Sequence, residues 1–214
     1  MIEQALAETQ LLDFSSPVIQ QFIEPLKGLS SPKDKAVALY YKVRDGFQYD
    51  PFHLDLRPTA LTASTIVQKK RAWCVEKSIL MAAGCRGLQL PARLGYGIVV
   101  NHIGVEKLVH YLKRPEIVFH GYVEVFLNGK WVKTTPAFDP LVCRISKVPP
   151  LEWDGEMDAM FQSFVADQAF MEYVHFYGTF TDVPVDLMNT EMKKYYPHLF
   201  EKVYDTKAFS FFHV

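Results

Sequence analysis

Residues 120–136 read HGYVEVFLNGKWVKTTP, and this stretch restricts the fold more than any other part of the chain. Asn128 and Gly129 separate two runs of alternating apolar and polar residues, the strongest short-range signal for a β-hairpin. A two-residue turn also fixes the register, because each residue then has a defined partner. The predicted pairs are Leu127–Lys130, Phe126–Trp131, Glu124–Lys133, Tyr122–Thr135 and His120–Ala137. Pro136 lacks a backbone N–H and is expected to disturb the open end.

Helical patterns precede this hairpin. Ser31 is a predicted N-cap with Pro32 at the first helical position, and Gly46 ends the pattern. The apolar face of this helix consists of Ala36, Leu39, Tyr40 and Val43. A second helix follows Cys74, where Val75, Ile79, Leu80 and Ala83 have helical spacing and Gly87 is a plausible stop. Helices followed by an antiparallel hairpin predict an α+β domain.

The whole chain, residues 1–214, is predicted to form a single domain. Residues 1–30 are a helical N-terminal region, residues 31–145 form the core, and residues 146–214 form an aromatic-rich extension that packs on it. Within the extension, residues 170–180 fit either a strand or a helix. Pro184 helps to start a helix over residues 182–196.

Composition excludes several classes of function. The 214 residues carry 23 basic and 24 acidic side chains, so the net charge is -1, and no basic stripe indicates a nucleic-acid partner. The N-terminal residues lack the pattern of a signal peptide, and no apolar run reaches the roughly 18 residues that span a bilayer. We therefore expect a cytoplasmic protein with no membrane partner.

Three cysteines, Cys74, Cys85 and Cys143, stand alone without a CxxC pair. Their odd number argues against a disulfide framework, and their spacing argues against a structural zinc site. We expect reduced thiols, no metal site and no cofactor.

Cys74 is the strongest candidate for chemistry because it opens a predicted helix. The partial positive charge and unpaired N–H groups of a helix N-terminus stabilise a thiolate, so a lowered pKa is expected. The backbone N–H of Cys74 is also a natural donor to an oxyanion. The competing interpretation is a buried structural cysteine, which is also how we interpret Cys85 and Cys143.

His120 is the candidate base, because a strand fixes the direction of its side chain. The predicted register places Thr135 and Asp139 diagonally across from it on the same face, within reach of the imidazole. Asp139 is the preferred orienting residue, since a carboxylate also stabilises imidazolium, and Thr135 is the alternative. Glu124 and Lys133 are expected to form a cross-strand ion pair.

Four motifs occur in an order that resembles the transglutaminase-like superfamily of cysteine enzymes. They are AVALYYKVRDGFQYD, the helix-opening Cys74, GLQLPARLGYG and HGYVEVFLNGKW, within a resemblance from about Lys35 to Asp139. The resemblance implies a papain-like core with Cys74 as nucleophile and His120 as base. The aspartate of the family follows its tryptophan by four residues, and here that position is Thr135.

The resemblance implies a cysteine-dependent acyl transfer through a thioester on Cys74. Water as acceptor gives a protease or amidase, which we favour, and an amine gives a transglutaminase. The expected substrates are peptides, proteins or other amides. A binding or scaffold module that keeps the fold without efficient catalysis is the alternative, because Thr135 carries no charge.

Overall fold

The computed structural model describes residues 2–102, 106–161 and 171–200, and these residues form helices around an antiparallel sheet. After a short 3-10 turn at Glu3–Ala5, the helices are α1 (Pro17–Lys27), α2 (Pro32–Gly46), α3 (Ala63–Ile66), α4 (Cys74–Gly87), α5 (Glu106–Leu112), α6 (Pro140–Ile145), α7 (Val185–Tyr195) and α8 (Pro197–Phe200). The strands are β1 (Gln48–Tyr49), β2 (Arg71–Ala72), β3 (Ala92–Asn101), β4 (Glu116–Leu127), β5 (Lys130–Thr134) and β6 (Met171–Phe180). The predicted α+β class is confirmed.

The central helix α4 is buried on every side from residue 74 to residue 86. It packs against β3 and β4 on one side and against α1 and α2 on the other. Gly84 and Gly87 allow this close packing, since a Cβ atom would lie 2.9 Å from the Leu39 side chain and 2.7 Å from the Ile23 side chain. Because every side of α4 is buried, no face of the helix is reserved for polar residues, and the sequence of the helix is only weakly amphipathic.

The main sheet has four strands in the order β5-β4-β3-β6. All of its pairs are antiparallel, and His120 of β4 lies opposite Gly97 of β3. A second, two-stranded parallel sheet pairs β1 with β2, with Tyr49 opposite Ala72. This small sheet brings a segment before α3 next to the start of α4.

The predicted hairpin is confirmed near its turn and wrong at its open end. The pairs Leu127–Lys130, Phe126–Trp131 and Glu124–Lys133 form, but the ladder stops at Val123–Thr134. On its other edge, β5 meets Ala159, which forms a parallel bridge with Thr134 and accepts the Thr135 N–H at 3.0 Å. The predicted pairs Tyr122–Thr135 and His120–Ala137 are absent, because the ladder with β4 ends before Pro136, which has no backbone N–H.

The ion pair expected between Glu124 and Lys133 is also replaced. Although the two residues are opposite each other, the Glu124 carboxylate binds the Arg93 guanidinium of β3, with Nε and Oε2 2.5 Å apart. The Arg93 guanidinium also lies over the Trp131 ring, 4.1 Å from its centroid. Cation–π stacking and the guanidinium geometry favour Arg93 over a flexible lysine at this position.

The C-terminal extension completes the sheet. Residues 171–180 form strand β6 at its edge, which settles the choice between strand and helix. Helix α7 lies over residues 185–195, inside the predicted range, and the Tyr196 hydroxyl after it bonds the backbone of β4 at Glu116 and Val118. None of the helices in the described residues is long and apolar enough to cross a membrane.

Candidate active site

Helix α4 begins at Cys74, as the sequence predicts. The chain leaves β2 with Trp73 in an extended conformation, and the Glu76 carboxylate accepts the Trp73 N–H at 3.2 Å. The same carboxylate binds the Lys69 ammonium group. These contacts tie down the first turn of the helix and fix the position of Cys74.

The Cys74 thiol lies at an open edge of β4. Its Sγ donates to the carbonyl oxygen of Phe119 at 3.6 Å, and the N–H groups of Gly121, Val75 and Cys74 itself interact with it. The Tyr49 hydroxyl is a further hydrogen-bonding neighbour of the sulfur. β5 leaves β4 before this point, so the thiol occupies the strand edge that an extended hairpin would have covered.

The lowered pKa expected for Cys74 is wrong for this structure. Burial raises the pKa of the Cys74 thiol to about 11, because the side chain is 1% exposed and a thiolate would lose its hydration. The surrounding N–H groups and the Tyr49 hydroxyl oppose this effect without overcoming it. Cys74 is therefore a neutral thiol near pH 7.

His120 lies between the two residues of β4 that contact Cys74. Gly121 faces α4, where a Cβ atom would lie 3.1 Å from the Cα of Val75. Because side chains alternate along a strand, the imidazole lies on the other face, where its Nδ1 is 2.8 Å from the Tyr173 hydroxyl. Its Nε2 is buried and has no hydrogen-bond partner among the described residues. The described hydrogen bonds do not join His120 to Cys74.

Burial also lowers the pKa of His120 to about 3, so the imidazole is neutral at pH 7. An unpartnered ring nitrogen in a buried site is unusual, because most buried polar atoms are bonded. The free Nε2 is thus available to a group that enters or moves within the site.

His120 is expected to make the protein sensitive to acid. Its pKa is about 3 when folded and 6.5 when unfolded, so the unfolded chain binds the extra proton between these values. The contribution to stability is full above pH 6.5 and is lost as the pH falls towards 3. At pH 5, 1.5 units below 6.5, the loss is about 2 kcal/mol.

The measurement is the free energy of unfolding in urea at pH 7 and pH 5, for the wild type and for the His120→Gln variant. Glutamine can still bond Tyr173 but does not titrate. The decrease in stability between the two pH values should be about 2 kcal/mol smaller in the variant. Equal decreases in the two proteins would contradict the neutral, buried imidazole.

Asp139 is engaged away from His120. Its Oδ1 accepts the N–H groups of Leu141 at 2.8 Å and Val142 at 3.2 Å, which caps α6. Its Oδ2 accepts the Tyr49 N–H at 2.6 Å. The expected hydrogen bond to His120 is not among those of the described residues. Asp139 instead holds the segment that carries the Tyr49 hydroxyl beside the thiol.

Thr135 reaches His120 through one intermediate residue. Its hydroxyl interacts with the Tyr173 hydroxyl, which bonds the imidazole, and its Oγ1 donates to the Met160 sulfur at 3.9 Å. Both Thr135 and Met160 are buried. The residue at the family's aspartate position is therefore connected to His120, but not by direct contact.

Two aromatic rings close the site. Phe138 lies 4.7 Å from Tyr49 and 6.3 Å from His120 between ring centroids. The Lys77 ammonium group, on α4, holds the neighbouring carbonyl of Ala137 at 2.7 Å. Cys74 and His120 are each 1% exposed, so the site is shut from solvent in this conformation.

The surface offers a depression near this site but not into it. Its volume is about 530 Å³, and its lining includes Arg71 and Glu76, which flank Cys74 in sequence. Other lining side chains form ion pairs, such as Asp55 with Arg57. Cys74 does not line it, so the depression lies beside the start of α4.

The remaining cysteines, Cys85 and Cys143, are buried and form no disulfide among the described residues. Burial raises the pKa of Cys85 to about 12, and the Cys143 thiol lies 3.8 Å from the carbonyl oxygen of Phe138. In the part of the chain that the structure describes, no cluster of three or more His, Cys, Asp or Glu side chains is suited to a metal ion.

Sequence reasoning missed Tyr173, Tyr49 and Phe138. Tyr173 lies in the aromatic-rich extension, which is predicted only to pack on the core, and no local pattern separates it from its neighbours. Tyr49 is brought to Cys74 by the pairing of β1 with β2, two short strands that are more than 20 residues apart in sequence. Contacts of this range leave no signal in a local pattern.

A family model described as the transglutaminase-like superfamily matches residues 20–136, more than half of the chain. A comparison with curated proteins gave no match. Among solved structures, the chain is similar to a candidate cysteine protease from Cytophaga hutchinsonii, with 16% identity and a TM-score of 0.50. The alignment covers 83% of this chain and 51% of the other, so this chain spans about half of that chain's length. At this identity the likeness shows a shared fold.

Proposed function

Because the chain belongs to the transglutaminase-like superfamily, we propose that it is a cysteine-dependent acyl-transfer enzyme, most simply a protease or amidase. The observation that carries the proposal is the place of Cys74. Its sulfur lies at the start of α4, within reach of three backbone N–H groups and beside the two residues that flank His120. A structural cysteine needs none of these groups.

In the proposed reaction, the Cys74 thiol leaves the Phe119 carbonyl and rotates around the open edge of β4 to the free Nε2 of His120, which accepts its proton. The sulfur attacks the carbonyl carbon of an amide, and a C–S bond forms. His120 then returns the proton to the leaving nitrogen as the C–N bond breaks, which leaves a thioester on Cys74. Water, deprotonated by His120, releases the acid and restores the thiol.

The N–H groups around the sulfur have a second role in this proposal. A tetrahedral intermediate carries its negative charge on the former carbonyl oxygen, which lies next to the sulfur. The N–H of Cys74 and the N–H of Gly121 both interact with the sulfur, and in the intermediate they can donate to the adjacent oxyanion. The Tyr49 hydroxyl is a third donor in the same place.

The site has to open before a substrate reaches the thiol, since Cys74 is buried. The rings of Tyr49 and Phe138 are the side chains to displace, because Tyr49 borders the thiol, Phe138 borders the imidazole and the two rings are in contact. Water that enters when these rings move would also hydrate the thiolate and lower the pKa of Cys74 from its buried value. Activation of the nucleophile therefore accompanies substrate entry.

Trapping of the thioester tests the proposal. The protein is incubated with p-nitrophenyl acetate, quenched in acid and digested, and the acetylated peptide is identified by mass spectrometry. The acetyl group should be on Cys74, and its formation should be much slower in His120→Ala. Acetylation equal at Cys74, Cys85 and Cys143, or equal rates in the two proteins, would contradict the proposal.

The acceptor is tested with casein in the presence of excess cadaverine. A hydrolase should release casein fragments or ammonia, whereas an amine-transferring enzyme should attach cadaverine to glutamine side chains.

A binding or scaffold module is the second candidate. The raised pKa of Cys74 and the uncharged Thr135 favour it, since both weaken a resting cysteine–histidine pair. The two functions differ in their response to Cys74→Ala, which abolishes acyl transfer and leaves a scaffold intact.

A further inference from the structure

We propose that Tyr173 is the positioning residue of His120 and that, with Thr135, it replaces the aspartate of the family. This inference rests on the proposed function, because it concerns how the base is oriented. Tyr173 lies in β6, outside the residues that match the family model. The third member of the site then comes from the C-terminal extension.

The direct contact is the hydrogen bond between Nδ1 of His120 and the Tyr173 hydroxyl, at 2.8 Å. An orienting residue has to bond one ring nitrogen and leave the other free for the nucleophile. Here Nδ1 is occupied, and Nε2 is buried without a partner among the described residues. The geometry is that of an oriented base whose reactive nitrogen is unoccupied.

Packing fixes the Tyr173 ring. The ring lies over Gly97 of β3, where a Cβ atom would be 2.5 Å from its Cδ1. It stacks on Phe176 with centroids 4.7 Å apart and meets the edge of Tyr122 at 6.0 Å. Any side chain at position 97 would displace the ring. The absence of a side chain at Gly97 therefore allows the Tyr173 hydroxyl to reach His120.

The direction of the hydrogen bond between His120 and Tyr173 follows from the proposed reaction. His120 takes the proton of Cys74 on Nε2, so its own proton lies on Nδ1, and the Tyr173 oxygen accepts it. A neutral imidazole carries one proton, so Nε2 holds a free lone pair. This is the tautomer that a base for Cys74 requires.

A tyrosine differs from an aspartate in one respect that matters here. It orients the ring and sets the tautomer, but it carries no charge to stabilise imidazolium. The neutral pair of Cys74 and His120 in this structure agrees with such a partner. We therefore expect a base that takes its proton during attack, without an ion pair at rest.

The first test is the tautomer of His120, read from long-range 1H–15N NMR spectra at pH 7 and assigned with His120→Gln. The wild type should carry its proton on Nδ1, and Tyr173→Phe should shift the population towards the Nε2–H form. A wild-type ring protonated at Nε2 would overturn the inference, whether or not the protein is an enzyme.

The second test is kinetic. Tyr173→Phe keeps the aromatic ring and should lower kcat about tenfold with little change in KM, the equivalent of one hydrogen bond. Thr135→Val should act in the same direction, and Thr135→Ser should restore activity. Tyr122→Phe is the matched control, because its ring packs on Tyr173 but its hydroxyl does not bond His120.

The outcomes separate the two proposals. If thioester formation depends on Cys74 while Tyr173→Phe behaves like Tyr122→Phe, the positioning role is wrong and the enzyme stands. If Cys74→Ala changes no activity, the proposed function fails, and the NMR measurement still decides the role of Tyr173.

Discussion

The Cys74→Ala variant is expected to lose acyl transfer by at least about 10³-fold, down to the rate without enzyme, because no thioester can form. The His120→Ala variant should lose nearly as much. Nucleophile and base act as a unit, so the double variant should be no slower than either single variant. Additive losses would mean that the two residues act independently, which the proposed mechanism does not allow.

The measurement is the rate of casein hydrolysis, with folding of each variant checked by thermal unfolding. Cys85→Ala is the matched control, because Cys85 is a buried thiol on the same helix and has no role in the reaction. It should lower stability without removing turnover. Turnover in Cys74→Ala close to that of Cys85→Ala would favour the scaffold function.

The Arg86→Ala variant is expected to lose about 4 kcal/mol or more of unfolding free energy. The Arg86 side chain is fully buried and donates to three backbone carbonyls, those of Ala7, Ala92 and Thr181, at distances between 2.7 and 3.1 Å. Its removal leaves these acceptors without a donor in a dry interior, and a large cavity adds to the cost.

The position of these carbonyls explains why the effect should be global. Ala7 belongs to the N-terminal segment, Ala92 starts β3, and Thr181 follows β6, so one guanidinium joins three parts of the chain. Arg86→Lys should recover only part of the loss, since a single ammonium group lacks the planar set of donors. The measurement is urea unfolding, with the exposed Arg144→Ala as control. A loss below about 1 kcal/mol would show that the carbonyls find other donors.

Local patterns predicted the parts of this fold that depend on neighbouring residues. The Asn128–Gly129 turn, the cap at Ser31 and the helix start at Cys74 each depend on a few adjacent side chains, and each is present. The class of fold followed from their order. These features are encoded locally, so a single sequence is enough to find them.

The end of the hairpin and the surroundings of the site could not be predicted in the same way. The bridge between Thr134 and Ala159 joins residues more than 20 positions apart, so it leaves no local signal. The pKa of Cys74 was misjudged because the helix start was considered without the burial of the thiol. Asp139 was assigned from a register that does not extend that far.

Strand β6 lies at the edge of the sheet, and six of its ten residues are exposed. Edge elements with few buried contacts open at a lower free energy than the core, in local events that leave the rest of the fold intact. Because Tyr173 is carried by this strand, each such opening takes away the partner of His120 while Cys74 stays in place. Some molecules that are otherwise folded would then lack the hydrogen bond between His120 and Tyr173. Hydrogen exchange at the amides that pair β6 with β3 measures how large this population is.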